Sequence, residues 1–320
     1  MPNEPADAGR LMLIAGTANV DLADAVAVEL DVPLASRTLS RFPDGELHVC
    51  IEESVRGADV FLIQPTTPPG DAHLFEALFL ADACRRAGAA HLTAVMPYFA
   101  YARQDRRVSG REPVGARLVA DLLRTAGFER VVTVDLHTAA AEGFFSTTVE
   151  HLSAVSLLAR AVRADGHGPV DVVVAPDLGA VKLAERYGGL LRLPIAVVHK
   201  ARLSGTEVKV RALVGDVAGR RPLIVDDMIS TGGTIEAAAR ALIAAGCTPD
   251  LSVAASHALL AGGAVDRLHA LPIRRVLATD SVAARHDLPL PLERVSLAPL
   301  LATAIRRLHG NESLADLYVH

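Results

Sequence analysis

The chain has 320 residues, 51% of them apolar and 22% charged, with a formal net charge of −5. That length holds two ordinary domains with separate cores, and the negative balance argues against a general binder of nucleic acid or of a membrane surface. The apolar runs break well short of a spanning length, Met1 to Asp7 carries acids where a signal peptide has bases, and Cys50, Cys84 and Cys247 match no metal spacing, so a reduced, cytoplasmic protein is expected.

Short apolar runs alternate with amphipathic stretches from end to end. Candidate strands are 11–15, 47–51, 60–64, 92–96 and 131–135, then 172–176, 195–199, 223–226, 252–256 and 275–279. Helical patterns fill the gaps, for example Leu74–Ala87, Val114–Ala126, Val155–Ala164 and 296–310. This alternation calls for an α/β protein with parallel sheets covered on both faces. Ten strands divide into two sheets of about five, with Asp165-Gly166-His167-Gly168-Pro169 near the join. Two doubly wound domains are expected: 1–150, joined by 296–320, and 151–295.

Polar features gather where the strands end. Asp44-Gly45-Glu46, after Phe42-Pro43, is by local chemistry an ordinary hairpin turn. Tyr98-Phe99-Ala100-Tyr101-Ala102-Arg103-Gln104-Asp105-Arg106-Arg107 offers aromatic stacking surfaces and planar guanidinium forks for phosphate. A solvated basic loop over packed tyrosines explains it equally well. The run 131–134 ends in Asp135-Leu136-His137, and 172–174 leads to Pro176-Asp177-Leu178-Gly179. His137 and Asp177 could bind Mg²⁺, directly or through water; a backbone-bonded imidazole and a helix cap are the plainer alternatives. Of 32 basic residues only Lys182, Lys200 and Lys209 are lysines. Lys200 ends its strand, and Arg202 leads into Leu203-Ser204-Gly205-Thr206, so this cationic pair could close over a polyphosphate.

Residues 222–246 say most about function. The apolar run Leu223–Val225 ends in Asp226 and Asp227; the loop Ser230-Thr231-Gly232-Gly233-Thr234 follows, and then a helix that stops at Gly246. Glycines let backbone N–H groups approach an anion at the helix N-terminus, and the hydroxyls add donors. Each carboxylate can accept two hydrogen bonds, which suits a vicinal diol. Caps and turns would explain each part alone. Together, at the carboxyl end of a parallel strand, they have the shape of a sugar-phosphate site. GxxxxGK[ST] and GxGxxG loops are absent, so a nucleotide must be held by another device.

In this order the segments resemble the ribose-phosphate diphosphokinase family, the synthases of phosphoribosyl diphosphate (PRPP), over roughly residues 12–310. Gly16-Thr17-Ala18-Asn19 and Leu22-Ala23 resemble the family's opening, and Arg111-Glu112-Pro113 also fits. The resemblance implies two domains of phosphoribosyltransferase-like build and a homo-oligomer whose hairpin, with Phe42, Asp44 and Glu46, reaches a neighbouring subunit's adenine site. It implies ATP contacts at Arg103, Gln104, Asp105 and His137, and a metal or substrate ligand at Asp177. It also implies the catalytic Lys-x-Arg at Lys200 and Arg202, and a ribose-5-phosphate site from Asp226 and Asp227 through Ser230 to Thr234. Many members have an acid in place of Ser230 and alanine in place of Gly232, although a subset has serine and glycine. Leu178 and Ala180 replace a common histidine and second glycine. The implied reaction moves the β,γ-diphosphoryl group of Mg-ATP to ribose 5-phosphate, giving PRPP and AMP. A silent regulatory paralogue, a PRPP-consuming phosphoribosyltransferase and a nucleotide-binding module without chemistry are the rivals.

Overall fold

The computed structural model describes residues 9–164, 168–202, 208–285 and 288–318, with backbone alone at 200–202 and 208–211. The strands are β1 Leu11–Ala15, β2 Arg37–Arg41, β3 Leu47–Ile51, β4 Asp59–Ile63, β5 His91–Met96, β6 Arg130–Val134 and β7 Thr148–Leu152, then β8 Val172–Ala175, β9 Ile195–Arg202, β10 Val208–Val214, β11 Pro222–Ile229, β12 Leu251–Ala258, β13 Ile273–Thr279 and β14 Leu292–Val295. The helices are α1 Val20–Leu30, α2 Gly70–Arg86, α3 Gly115–Ala126, α4 Val155–Arg163, α5 Val181–Leu191, α6 Gly233–Ala244, α7 Ala264–His269 and α8 Ala298–His309. Two compact units divide the chain: residues 1–153 with 281–283 and 296–320, and residues 154–280 with 284–295. Asp165–His167, near the expected join, and the 203–206 loop lie outside the described residues.

In the first unit a wholly parallel sheet runs β1-β4-β5-β6-β7. Leu34 adds one parallel bridge to Leu13, on the side of β1 away from β4. The chain therefore steps outward from β1 before returning to β4, and strand order reverses between those two. Right-handed crossovers then place α1 on one face and α2 and α3 on the other. Met12, Ile14, Val60, Leu62, Ala94 and Met96 meet Leu74, Leu80 and Leu123 in one core. Leu13, Phe61 and Val95, also buried, alternate to the opposite face. Helix α3 shows the local logic: Ala116, Val119, Ala120 and Leu123 are buried at helical spacing, and Gly127, at φ 111°, ends it. Helix α8 packs with α1, and His309 Nδ1 sits 2.8 Å from the buried Asp59 carboxylate. Tyr318 bridges Leu152 at the sheet edge and donates to Glu150 at 2.5 Å; burial, then that hydrogen bond, pushes its phenol up to about 12.

The second unit carries the order β10-β9-β8-β11-β12-β13-β14, parallel except for β9 with β10. Here order reverses between β8 and β11. Val172, Val174, Ile224 and Val253 pack with Ile235, Ala239 and Leu242 of α6 and Leu268 of α7. Helices α4 and α5 contact the strands as well, α4 at β12 and β13 and α5 at β8 and β11.

The expected pair of five-stranded sheets needs correction: the second has seven strands, and 47–51 leaves the main sheet to pair with β2 as an antiparallel hairpin. Leu39, Val49 and Ile51 supply that hairpin with one apolar side, which packs on the first core. Strand β9 also continues past 199, because β10 gives it a partner through Val210↔Lys200 and Val208↔Arg202.

Candidate active site

In open α/β sheets, ligands bind outside the carboxyl ends of the strands where strand order reverses. In the second unit that point lies between β8 and β11: Asp177 follows β8, and Asp226 and Asp227 lie in the part of β11 beyond its pairing with β8, where β12 carries the strand on to Ile229. The Asp227 N–H donates to Asp226 Oδ1 at 3.0 Å, and a side-chain hydrogen bond joins the two carboxyl groups. Burial, then the charge of Asp227, raises Asp226 well above the ordinary carboxylate range, and the charge of Asp177 adds to the effect. The three acids thus form one ledge. Asp177 Oδ1 accepts from the Gly179 N–H at 2.9 Å and the Ala180 N–H at 3.3 Å, so it also organises the entry to α5. Leu178 beside it is 61% exposed.

The loop after β11 turns its carbonyls into protein. Ile229 O accepts from Leu260 N at 3.1 Å, Ser230 O from Ala261 N at 2.9 Å, and Gly232 O from Glu236 N at 2.9 Å. Thr231 O accepts from Arg267 Nη1. A trans peptide points its N–H opposite to its C=O, so the amides of Thr231, Gly232 and Gly233 face the other way. Gly232 opens α6 in the left-handed region at φ 76°, and Ser230 and Thr234 are half-buried while Thr231 and Gly233 are exposed. Amides, hydroxyls and the positive end of α6 converge as an anion nest beside the ledge. Lys200 and Arg202 occupy alternate positions of β9, on the side of β8 away from β11; their side chains lie outside the described residues.

In the first unit the segments after β5 and β6, adjacent strands, lie side by side. Tyr98 and Phe99 are buried, and Phe99 packs on Phe145 with centroids 5.3 Å apart, whereas Tyr101 is 36% exposed. Arg103 and Gln104 are exposed, and Asp105, half-buried, accepts from Thr138 Oγ1 at 3.2 Å. That bond ties the arginine segment to the loop of His137, which is exposed. The Leu136 N–H donates to His151 Nε2 at 2.8 Å, and Nδ1 of the same ring lies 2.6 Å from Glu142 Oε1. An accepting Nε2 requires the proton on Nδ1, so Glu142 selects the tautomer that holds the backbone next to His137. Neither His151 nor Glu142 carries a local sequence signal.

The hairpin turn is built as its sequence suggests: Gly45 lies at φ 92°, its N–H donating to Phe42 O at 2.8 Å, and the Glu46 N–H donates to Asp44 Oδ1 at 3.1 Å. Phe42 is 49% exposed and meets His48 edge-on with centroids 5.1 Å apart.

Among the described residues no three His, Cys, Asp or Glu side chains gather as a metal cluster. Among those residues no helix is long and apolar enough to cross a membrane.

Twin acids at a sheet reversal, followed by a glycine loop that opens a helix, are an arrangement suited to a sugar phosphate in an α/β enzyme. Residues 11–127 match the N-terminal domain of ribose phosphate pyrophosphokinase, and 201–319 match the phosphoribosyl synthetase-associated domain. The chain is 41% identical to the ribose-phosphate pyrophosphokinase of Maricaulis maris, over 96% of this chain and 100% of that one. It is 44% identical to the Mycobacterium bovis protein of the same name, over 96% and 95%. The crystal structure of phosphoribosylpyrophosphate synthetase from Mycobacterium smegmatis superposes with a TM-score of 0.88 at 42% identity, covering 94% of this chain and 99% of that one. The chain belongs to the ribose-phosphate pyrophosphokinase family.

Proposed function

We propose that the acidic ledge and the 230–234 loop hold ribose 5-phosphate, and that the segments after β5 and β6 hold Mg-ATP. As a member of its family the chain is an enzyme of PRPP synthesis. The observation carrying the site assignment is the ledge of Asp177, Asp226 and Asp227 beside the amide nest of α6. Asp226 and Asp227 accept hydrogen bonds from the ribose diol, while Ser230, Thr231, Thr234 and the amides of Gly232 and Gly233 take the 5-phosphate. The C1 hydroxyl oxygen attacks the β-phosphorus in line, the bond from β-phosphorus to the α-phosphate oxygen breaks, AMP leaves, and the hydroxyl proton passes to solvent. Such transfer depends on positioning and charge neutralisation, for which Lys200 and Arg202 are assigned. Arg103, Gln104 and Asp105 position the nucleotide. His137 and, separately, Asp177 would each offer Mg²⁺ a ligand, and the ion would neutralise phosphate charge when bound.

The exposed Phe42 and the ordered turn through Asp44 and Glu46 support a hairpin that completes the adenine site of a second copy, making the protein a homo-oligomer. Free Cys50, Cys84 and Cys247 support a reduced, cytoplasmic setting. Matches spanning nearly the whole chain set aside a PRPP-consuming phosphoribosyltransferase. One assay tests the reaction: purified protein with Mg-ATP and ribose 5-phosphate forms AMP and PRPP in equal amounts. Specific ATP binding without either product would identify a silent paralogue.

A further inference from the structure

We propose that Arg267 of α7 is a positioning residue for the phosphate loop: it pins the Thr231 carbonyl so that the Gly232 amide faces the sugar phosphate. This rests on the assignment of residues 230–234 to the 5-phosphate. The Arg267 guanidinium joins two parts of the nest. Its Nη1 donates to Thr231 O, and its Nε lies 3.1 Å from Glu236 Oε2 in the first turn of α6. The Glu236 N–H in turn closes on Gly232 O at 2.9 Å.

The Thr231–Gly232 peptide, with a glycine on one side, can turn over more readily than a peptide between two residues that carry side chains. Gly232 sits at φ 76°, and glycine crosses between the two halves of φ space at little cost. Turning that peptide over would replace a donor facing the phosphate with a carbonyl dipole, exchanging attraction for repulsion. The carbonyls of Ile229, Ser230 and Gly232 are held by backbone amides, which no side-chain change removes. At Thr231 the hold is a side chain. Gly262 and Gly263, at φ 54° and 76°, shape the turn that brings α7 against the loop, and a Cβ at Gly262 would touch the Thr231 methyl at 3.6 Å.

Arg267 also acts on charge. Glu236 places a carboxylate in the first turn of the very helix that receives the anion. Arg240, at 2.9 Å, and Arg267 both pair with it, which keeps its charge from opposing the phosphate.

The test uses the full-length enzyme and initial rates of AMP formation. Arg267→Met is expected to raise KM for ribose 5-phosphate by about 10- to 100-fold, the range for losing a charged hydrogen bond, with KM for ATP and kcat within about threefold. Arg267→Lys, which keeps the charge but not the fork, should fall between the two. In Arg267→Ala, added guanidinium ion should restore part of the ribose 5-phosphate affinity and leave the parent enzyme unaffected. Melting curves establish that each variant is folded; if the methionine variant is not, the lysine variant and the rescue decide. Loss spread equally over both substrates and kcat, or no rescue, overturns the proposal in favour of a structural role. Thr234→Ala and Gly233→Val separate the two levels. If they raise KM for ribose 5-phosphate while Arg267→Met does not, Arg267 has no positioning role; if none of the three does, the loop assignment fails.

Discussion

Gly16→Ala puts the packing at the carboxyl edge of the first sheet to a quantitative test. A methyl group there would overlap the Gln64 carboxamide, whose Oε1, Cδ and Nε2 all lie inside the 3.0 Å that Cβ atoms keep. Gln64 is fully buried and engaged at both ends: Oε1 accepts from the Ala18 N–H at 3.1 Å, and Nε2 donates to His73 O at 3.2 Å and Glu76 Oε2 at 2.8 Å. Glu76, also buried, takes the Thr17 N–H at 3.1 Å and the Thr17 hydroxyl at 2.7 Å. Displacing Gln64 therefore strands buried polar groups, one of them a carboxylate, at about 1–3 kcal/mol each. A total of about 3–5 kcal/mol is expected, a fall in melting temperature on the order of 10 °C for a domain of this size. Urea and thermal melts of Gly16→Ala, Gln64→Ala and the double variant check it, because Gln64→Ala empties the space the new methyl needs. The double variant should lose clearly less than the sum of the singles. A single-variant loss under about 1 kcal/mol, or additive losses, would refute the reasoning.

Asp226→Asn addresses the ledge. An acid raised in the folded state holds its proton more tightly there than in the unfolded chain. Its contribution to stability is present below the unfolded value of about 3.9 and lost as pH rises through the raised folded value. The asparagine variant should accordingly gain about 0.5–2 kcal/mol over the parent near neutral pH, less at pH 5, while ribose 5-phosphate binding falls; an equal gain at both pH values in calorimetry sinks the assignment. The methyl of Gly232→Ala would make ordinary van der Waals contact with Leu268 and Ala264 at 3.5 and 3.6 Å, so it should cost only the left-handed backbone strain of about 1–2 kcal/mol. Its KM for ribose 5-phosphate should stay within about threefold, and a tenfold rise would show that the nest does not tolerate a side chain. Lys200→Ala should lower kcat at least about 100-fold with folding intact, the scale for removing one preorganised charge-stabilising group; near-normal turnover removes Lys200 from the chemistry.

All the interior strands of both main sheets are legible in the sequence, with β1 and the hairpin arm β3 besides. β4, β8, β11 and β12 are largely buried and carry short apolar runs, Val60–Ile63, Val172–Ala175, Leu223–Val225 and Val253–Ala255. The strands left unread are edges or hairpin arms. β7 places Glu150 and His151 inside its span, β14 is Leu-Glu-Arg-Val and half-buried throughout, and β2 is Arg-Thr-Leu-Ser-Arg; β10 closes the far edge of its sheet. Edge strands expose polar groups and so lack the continuous apolar signal. The loop from Ser230 to Thr234 was readable because its chemistry is local. Arg267, 36 residues further on, and the His151–Glu142 clamp act across folded distance, and no spacing rule points to them. In the aromatic segment Tyr98 and Phe99 lie underneath while Tyr101 and Arg103 face outward.

The return of α8 and Tyr318 to the first unit sets an order for biosynthesis. The second unit is spelled out by one nearly continuous stretch and can finish folding while the last segment is still inside the ribosome. The first unit begins earlier yet stays without α8 and the Tyr318 edge bridge until residues 298–318 emerge. A chain truncated near residue 295 would thus keep every strand of the second sheet and lose α8 and the Tyr318 bridge from the first unit, so lesions in 296–318 injure the unit that opens with β1.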